Sequence, residues 1–127
     1  MTLKQCIEAL RSFQALSQQK LPFAASFVIA QNMQKLKDVV APFEEHRDQY
    51  VKDIRSQAYE NEQGELVLAD EVAEQFKTDI EILLNEDQNV KLKKVELHGL
   101  DGLDIEPQAL VGCIEFLTLK TDANKGK

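Results

Sequence analysis

The residues of this chain best suited to chemistry are two cysteines and two histidines, Cys6, His46, His98 and Cys113. Zinc sites in small domains draw their ligands from close pairs such as C-x2-C or H-x3-H. None of the four has a neighbour at that spacing, so they read as buried thiols and surface histidines, with no metal expected. Asp101, Asp104 and Glu106 follow glycine-containing sequence, but they lack the D-x-D-x-D-G order and the closing glutamate of a hand-type calcium loop. Turn and cap roles suit them better. Glu44, Glu45, His46 and Asp48 crowd one helical stretch, without the walled pocket that tunes a general acid–base pair. A glycine-rich phosphate loop and a G-x-S-x-G elbow are both missing from the sequence. Neither a catalytic site nor a cofactor is expected.

Charge is the more informative chemistry. The net charge is −7, and it is unevenly spread. Residues 1–59 hold eight Lys/Arg against six Asp/Glu, whereas residues 60–127 hold seven against sixteen. The excess begins with Glu60, Glu62, Glu65, Asp70, Glu71 and Glu74 and continues to Asp87, opposed only by Lys77. Such a run repels phosphate backbones, so direct nucleic-acid binding is not expected. It reads first as a solvated face, and as the candidate surface for a protein partner with a basic groove.

The elements that must carry these residues are mainly helical. A chain of 127 residues, 43% apolar and 29% charged, suits one domain, taken here as residues 1–119 with a polar tail at 120–127. Thr2 and Gln5 stand at capping-box spacing before a helix over residues 2–17, with Leu3, Cys6, Ile7, Leu10 and Phe13 on one face. Residues 22–59 contain no glycine and read as a long spine. Ile29, Met33, Leu36, Val40, Phe43, Arg47, Tyr50 and Ile54 alternate at steps of four and three, a heptad seam. Pro42 predicts a kink, or a break into two helices, near Val40. Phe23, Phe27 and Ala30 lie off the seam and are expected to widen the buried face. Asn61-Glu62-Gln63-Gly64 is a turn, and residues 65–68 add an extended segment. Asp70 caps a third helix over residues 71–84, whose Ala73, Phe76, Ile80 and Leu83 pack antiparallel on Tyr50 and Ile54. Residues 90–97 read as a strand whose alternation slips near Lys93-Lys94, to be partnered by residues 66–68 or by a second subunit. After a turn at residues 98–104, Pro107 opens a last helix with Leu110, Val111, Ile114 and Leu117 inward. The fold expected is a helical hairpin or small bundle around one long helix, with a short strand or hairpin element and a C-terminal helix.

Several of these runs resemble one another's order in a known group. Leu21-Pro22-Phe23, Ile29-Ala30-Gln31-Asn32, Leu36, Pro42-Phe43-Glu44-Glu45, Arg47, Tyr59 and the Gly64 turn look like small proteins of tailed bacteriophages and prophages whose function is unassigned. The likeness continues through Ile80-Glu81-Ile82-Leu83-Leu84-Asn85-Glu86 and Leu100-Asp101-Gly102-Leu103-Asp104-Ile105-Glu106-Pro107, covering roughly residues 21–117. Gln88-Asn89 departs from the glutamate–valine passage of that group. No catalytic residues carry over. The resemblance implies either a phage assembly or accessory protein, or an inhibitor of a host enzyme or defence system.

No signal-peptide core and no run of about 18 apolar residues is present, so a soluble cytoplasmic protein without membrane contact is expected. Met33, Leu36, Val40, Phe43, Arg47, Tyr50 and Ile54 are the candidate surface for a homodimer. The first and third helices are together about as long as the spine, so they could equally cover that seam within one chain. Either way, Val40→Asp places an unpaired charge in apolar surroundings. It should unfold or dissociate the protein, and an unchanged melting temperature and mass would refute burial of the seam.

Overall fold

The computed structural model describes residues 1–97 and 104–119. Helix α1, Leu3–Ser17, starts on a reciprocal cap: the Gln5 N–H donates to Thr2 Oγ1 at 3.1 Å, and the Thr2 N–H donates to Gln5 Oε1 at 2.9 Å. Its apolar residues encircle more than one stripe. Leu3, Cys6, Ala9, Leu10, Phe13 and Leu16 are all buried, and the helix is covered from two sides.

One cover is helix α2, Phe23–Arg55, whose 33 residues span about 50 Å. Ala25, Ile29, Asn32, Leu36, Val40 and Phe43 face inward, and the apolar members join α1 in a single core. Pro42 neither breaks the helix nor splits it in two. It lies on the exposed side, where the carbonyl of Asp38 that loses its donor meets water, while Val40 and Phe43 are held by the core. The helix ends four residues before Tyr59. That residue instead opens strand β1, Tyr59–Glu60, which pairs antiparallel with β2, Leu66–Val67. Asn61 organises the turn, its Oδ1 accepting from the N–H groups of Gln63 and Glu65, and Gly64 takes the left-handed φ of 78°.

Helix α3, Asp70–Leu84, runs back beside Tyr50 and Ile54 of α2 as predicted, with two corrections: Ala73, expected to pack inward, is exposed, and the start differs. Asp70 is the first helical residue and Ala69 the cap, without a side-chain bond. Asp70 and Glu71 then act on the helix dipole from the first turn. After α3 the chain meets the N-terminus, with the Leu3 N–H donating to the Glu86 carbonyl and the Gln88 N–H to that of Met1.

The strand expected over residues 90–97 is shorter, and its partner is different. Only Val95–Leu97 forms β3, and it pairs in parallel with β4, Leu117–Leu119, not with residues 66–68. The preceding residues are held by a side chain instead. Buried Asn32 donates Nδ2 to the Lys93 carbonyl and accepts the Lys93 N–H on Oδ1, both at 2.9 Å. One amide thus stands in for a neighbouring strand, at the place where the alternation slips. Gln19 does the same for Asp104, donating to its carbonyl at 3.1 Å and accepting its N–H at 2.8 Å.

The second cover over α1 is a 3₁₀ helix, Pro107–Phe116, rather than an α-helix. With three residues per turn, Leu110, Cys113 and Phe116 share its inner side. Leu110 and Cys113 are buried, and Phe116 packs on Phe13 with ring centroids 6.3 Å apart. Val111 and Ile114, predicted inward from an α-helical period, are 69% and 49% exposed. Residues 98–103 of the turn expected at 98–104, and the tail at 120–127, lie outside the described residues.

The 3₁₀ helix approaches α1 backbone to backbone at Gly112. Its N–H donates to buried Ser12 Oγ at 3.0 Å, and a Cβ there would stand 2.3 Å from the Glu8 carbonyl oxygen. Gly112→Ala should therefore force the two elements apart and destabilise the protein by about 1–3 kcal/mol, as overpacking does. Urea unfolding checks this. The midpoint should fall at constant slope, and an unchanged midpoint would mean that the approach is not tight.

Candidate functional site

The candidate partner-binding residues are brought together by the β1–β2 hairpin and the first half of α3. Glu60 lies on β1, Glu62 and Glu65 in the turn, and Asp70, Glu71 and Glu74 on α3. All six are exposed. On α3 the three share a side, since Glu74 follows Asp70 by four residues and Glu71 by three. The hairpin adds exposed apolar surface among the carboxylates, at Leu66 (77%) and Tyr59 (55%). Helix α3 has no fully buried residue; Ile80, Leu83 and Leu84 in its second half pack against the core, while its first half and the hairpin form an arm beside the end of α2.

Two aromatic rings and one hydrogen bond seat the arm. Tyr50 meets Phe76 edge-on at 5.0 Å, and its hydroxyl donates to Asp79 Oδ2 at 2.6 Å. Gln75 donates to the other oxygen of Asp79 at 2.8 Å. The bond from Tyr50, and then that from Gln75, hold the Asp79 carboxyl below its ordinary range against an opposing desolvation. The same bond, with desolvation and the nearby negative charge, pushes the Tyr50 phenol up.

The seam residues take a different place from a dimer surface. Leu36, Val40 and Phe43 are buried in the core shared with α1, Met33 packs at its edge, and Ile54 is buried beside the Tyr50 contact. Arg47 is half-buried, its guanidinium 5.7 Å from the Phe43 ring and paired with neighbouring Asp48 at 3.3 Å. The chain covers its own seam, α1 over one half and α3 over the other.

The aromatic residues expected to widen the core face water. Phe23 is 84% exposed and Phe27 53%, the two rings stacking on each other at 6.2 Å, and Ala30 is exposed beside them. Their spacing signals an apolar stripe correctly, but nine residues from Phe27 to Leu36 is two and a half turns, which sets them on opposite sides.

Cys6 and Cys113 are buried as expected, and burial pushes both thiols up, Cys113 to about 11. Both stay protonated near neutrality, the unreactive form. Glu44, Glu45, His46 and Asp48 are all exposed on α2, spread along the helix surface. Among the described residues no group of three or more His, Cys, Asp or Glu is placed to hold a metal ion, and no helix is long and apolar enough to cross a membrane. The residues that sequence reasoning missed are Asn32 and Gln19. A polar residue within the inward face of an amphipathic helix was the available signal for Asn32.

The Tyr50–Asp79 bond predicts how the arm responds to pH. The lowered Asp79 contributes fully above its unfolded value of about 3.9 and loses that contribution as pH falls through its folded value. The raised Tyr50 contributes fully below about 10 and loses its contribution as pH rises through its own. The stability difference between the wild type and Tyr50→Phe should thus be flat at intermediate pH and shrink toward both extremes. Urea midpoints across pH measure it, and a pH-independent difference would refute the bond. Compared with known proteins, the chain matches no family model, no curated protein and no solved structure.

Proposed function

We propose that this chain is a binding protein that works without catalysis and holds another protein on the acidic arm. The observation that carries the proposal is the concentration of Glu60, Glu62, Glu65, Asp70, Glu71 and Glu74, all exposed, on elements that add no buried residue to the core. Carboxylates around exposed Leu66 and Tyr59 suit a partner with a basic, partly apolar groove, where charge sets orientation and association rate and the apolar groups supply affinity. Together with the resemblance to small proteins of tailed phages, this supports a phage-encoded assembly or accessory factor acting in the host cytoplasm or on the virion, on protein rather than on nucleic acid or membrane.

The local density of carboxylates favours a second reading, an inhibitor of a host enzyme or defence protein that fills a groove evolved for phosphate. One experiment separates the two. Tagged wild type and the variant Glu60→Gln/Glu62→Gln/Glu65→Gln are used to capture partners from phage-infected cells, with identification by mass spectrometry. The variant should fold normally, since the three side chains are exposed. A phage head or tail protein captured by the wild type and lost with the variant supports the assembly factor. A host nuclease, polymerase or defence protein lost in the same way supports the inhibitor. Equal capture by both forms would exclude the arm as the contact surface.

A further inference from the structure

Two adjoining hollows, of about 230 Å³ and 310 Å³, lie where the end of α2 meets the start of α3. Tyr50, Ile54 and Gln57 line both. Glu71, Val72 and Gln75 of α3 complete the first, and His46, Gln49 and Asp53 of α2 the second. Each therefore has the same make-up: buried Ile54 and half-buried Tyr50 as apolar surface, the Gln57 amide, and one exposed carboxylate. Small-molecule sites run from about 300 to 1,000 Å³. These hollows lie at the bottom of that range or below it, a size for single side chains rather than for a cofactor. Their carboxylates are not neutralised from within the chain. Asp53 accepts from Gln49 Nε2 on Oδ1 at 3.1 Å, and among the described residues neither its second oxygen nor the Glu71 carboxyl has a partner. Asp79 differs, with both oxygens taken by Tyr50 and Gln75. Lys52 and Arg55 are two residues from Ile54 and Gln57, just over half a turn, which sets them on the far side of α2.

We infer that the two hollows take a pair of arginine side chains from one basic segment of a protein partner. A long cationic side chain has the matching structure, an apolar stem and a charged head. The stem lies on Ile54 and the Tyr50 ring, and the head meets Glu71 in one hollow and Asp53 in the other. Arginine fits better than lysine, because its planar guanidinium packs on an aromatic ring and offers two donors to one carboxylate. The Gln57 side-chain oxygen is a further acceptor between the two heads. This inference rests on the acidic-arm reading, since Glu71 is one of the arm's six carboxylates. It adds Asp53 and an apolar floor that the hairpin does not contain, and it names the chemistry of the segment that the arm would hold.

The probes are a short blocked peptide carrying two arginines and its counterpart with two citrullines, which keep the shape and lose the charge. In amide NMR spectra of the isotope-labelled chain, the arginine peptide should shift the signals of Tyr50, Ile54, Gln57 and Val72, and the citrulline peptide should not. Asp53→Asn/Glu71→Gln should weaken binding roughly fivefold, the effect of losing two rim ion pairs. Gln57→Lys, a single exposed change that places a cation between the hollows, should weaken it as well. Both variants should keep the remaining signals in place, and Glu60→Gln/Glu62→Gln/Glu65→Gln should affect binding far less. Shifts confined to the hairpin, an equal response to the citrulline peptide, no response at all, or binding unchanged in both groove variants would each overturn the inference. None of these results touches the arm reading itself, which stands or falls on capture of a partner by the wild type and the hairpin variant.

Discussion

The backbone-to-backbone contact between α1 and the 3₁₀ helix is the constraint on which the core depends. Fifteen residues of α1 bury apolar groups on two sides, and α2 can cover only one of them. The other side needs a second layer narrow enough to sit against it. A 3₁₀ helix is thinner than an α-helix, and Gly112 removes the one side chain that would keep it away. Ser12 then supplies a buried acceptor to the Gly112 N–H, so the approach leaves no donor stranded. Leu110, Cys113 and Phe116, three residues apart, then share the inner side of the same 3₁₀ helix.

Buried polarity elsewhere is handled with similar economy. Among the described residues no buried side-chain nitrogen or oxygen lacks a hydrogen-bond partner. Asn32 is the clearest case. Its side chain is fully buried, and its amide meets both backbone groups of Lys93, so removing it would take the partner from both. Residues 90–94 need no sheet, because α2 brings its own amide to them.

Much of this architecture was legible wherever a single helical period or a cap controls the outcome. Thr2 and Gln5 announced the start of α1, the seam from Ile29 to Ile54 announced the inner face of α2, and Gly64 announced its turn. Phe76 placed α3 on Tyr50, and Ile80 and Leu83 of the same stripe pack against the core, while Ala73 of that stripe is exposed. The failures come from competition between levels. The run from Pro107 to Phe116 is apolar nearly all round, so its period could not be chosen from sequence, and the inner residues were misassigned at Val111 and Ile114. Phe23 and Phe27 carry a pattern identical to that of a core stripe, and only the position of the other elements leaves them bare. The parallel partner of Val95–Leu97 lies some twenty residues downstream, beyond any local signal. As for the candidate site, the clustering of six carboxylates was visible in sequence. Their support on an arm seated by Tyr50 and Asp79 was not, since that bond joins residues 29 apart.

The closing layer also sets a clock for the chain as it is made. Helix α1 emerges before residues 107–116, which cover one side of it. At synthesis rates of about 5–20 residues per second, roughly 5–20 s separate the two. During that interval α1 and α2 can associate, while Ser12, Phe13 and their neighbours remain open on one side to chaperones or to other nascent chains. The native packing of α1 is therefore complete only when the 3₁₀ segment arrives to close the face that Gly112 fits.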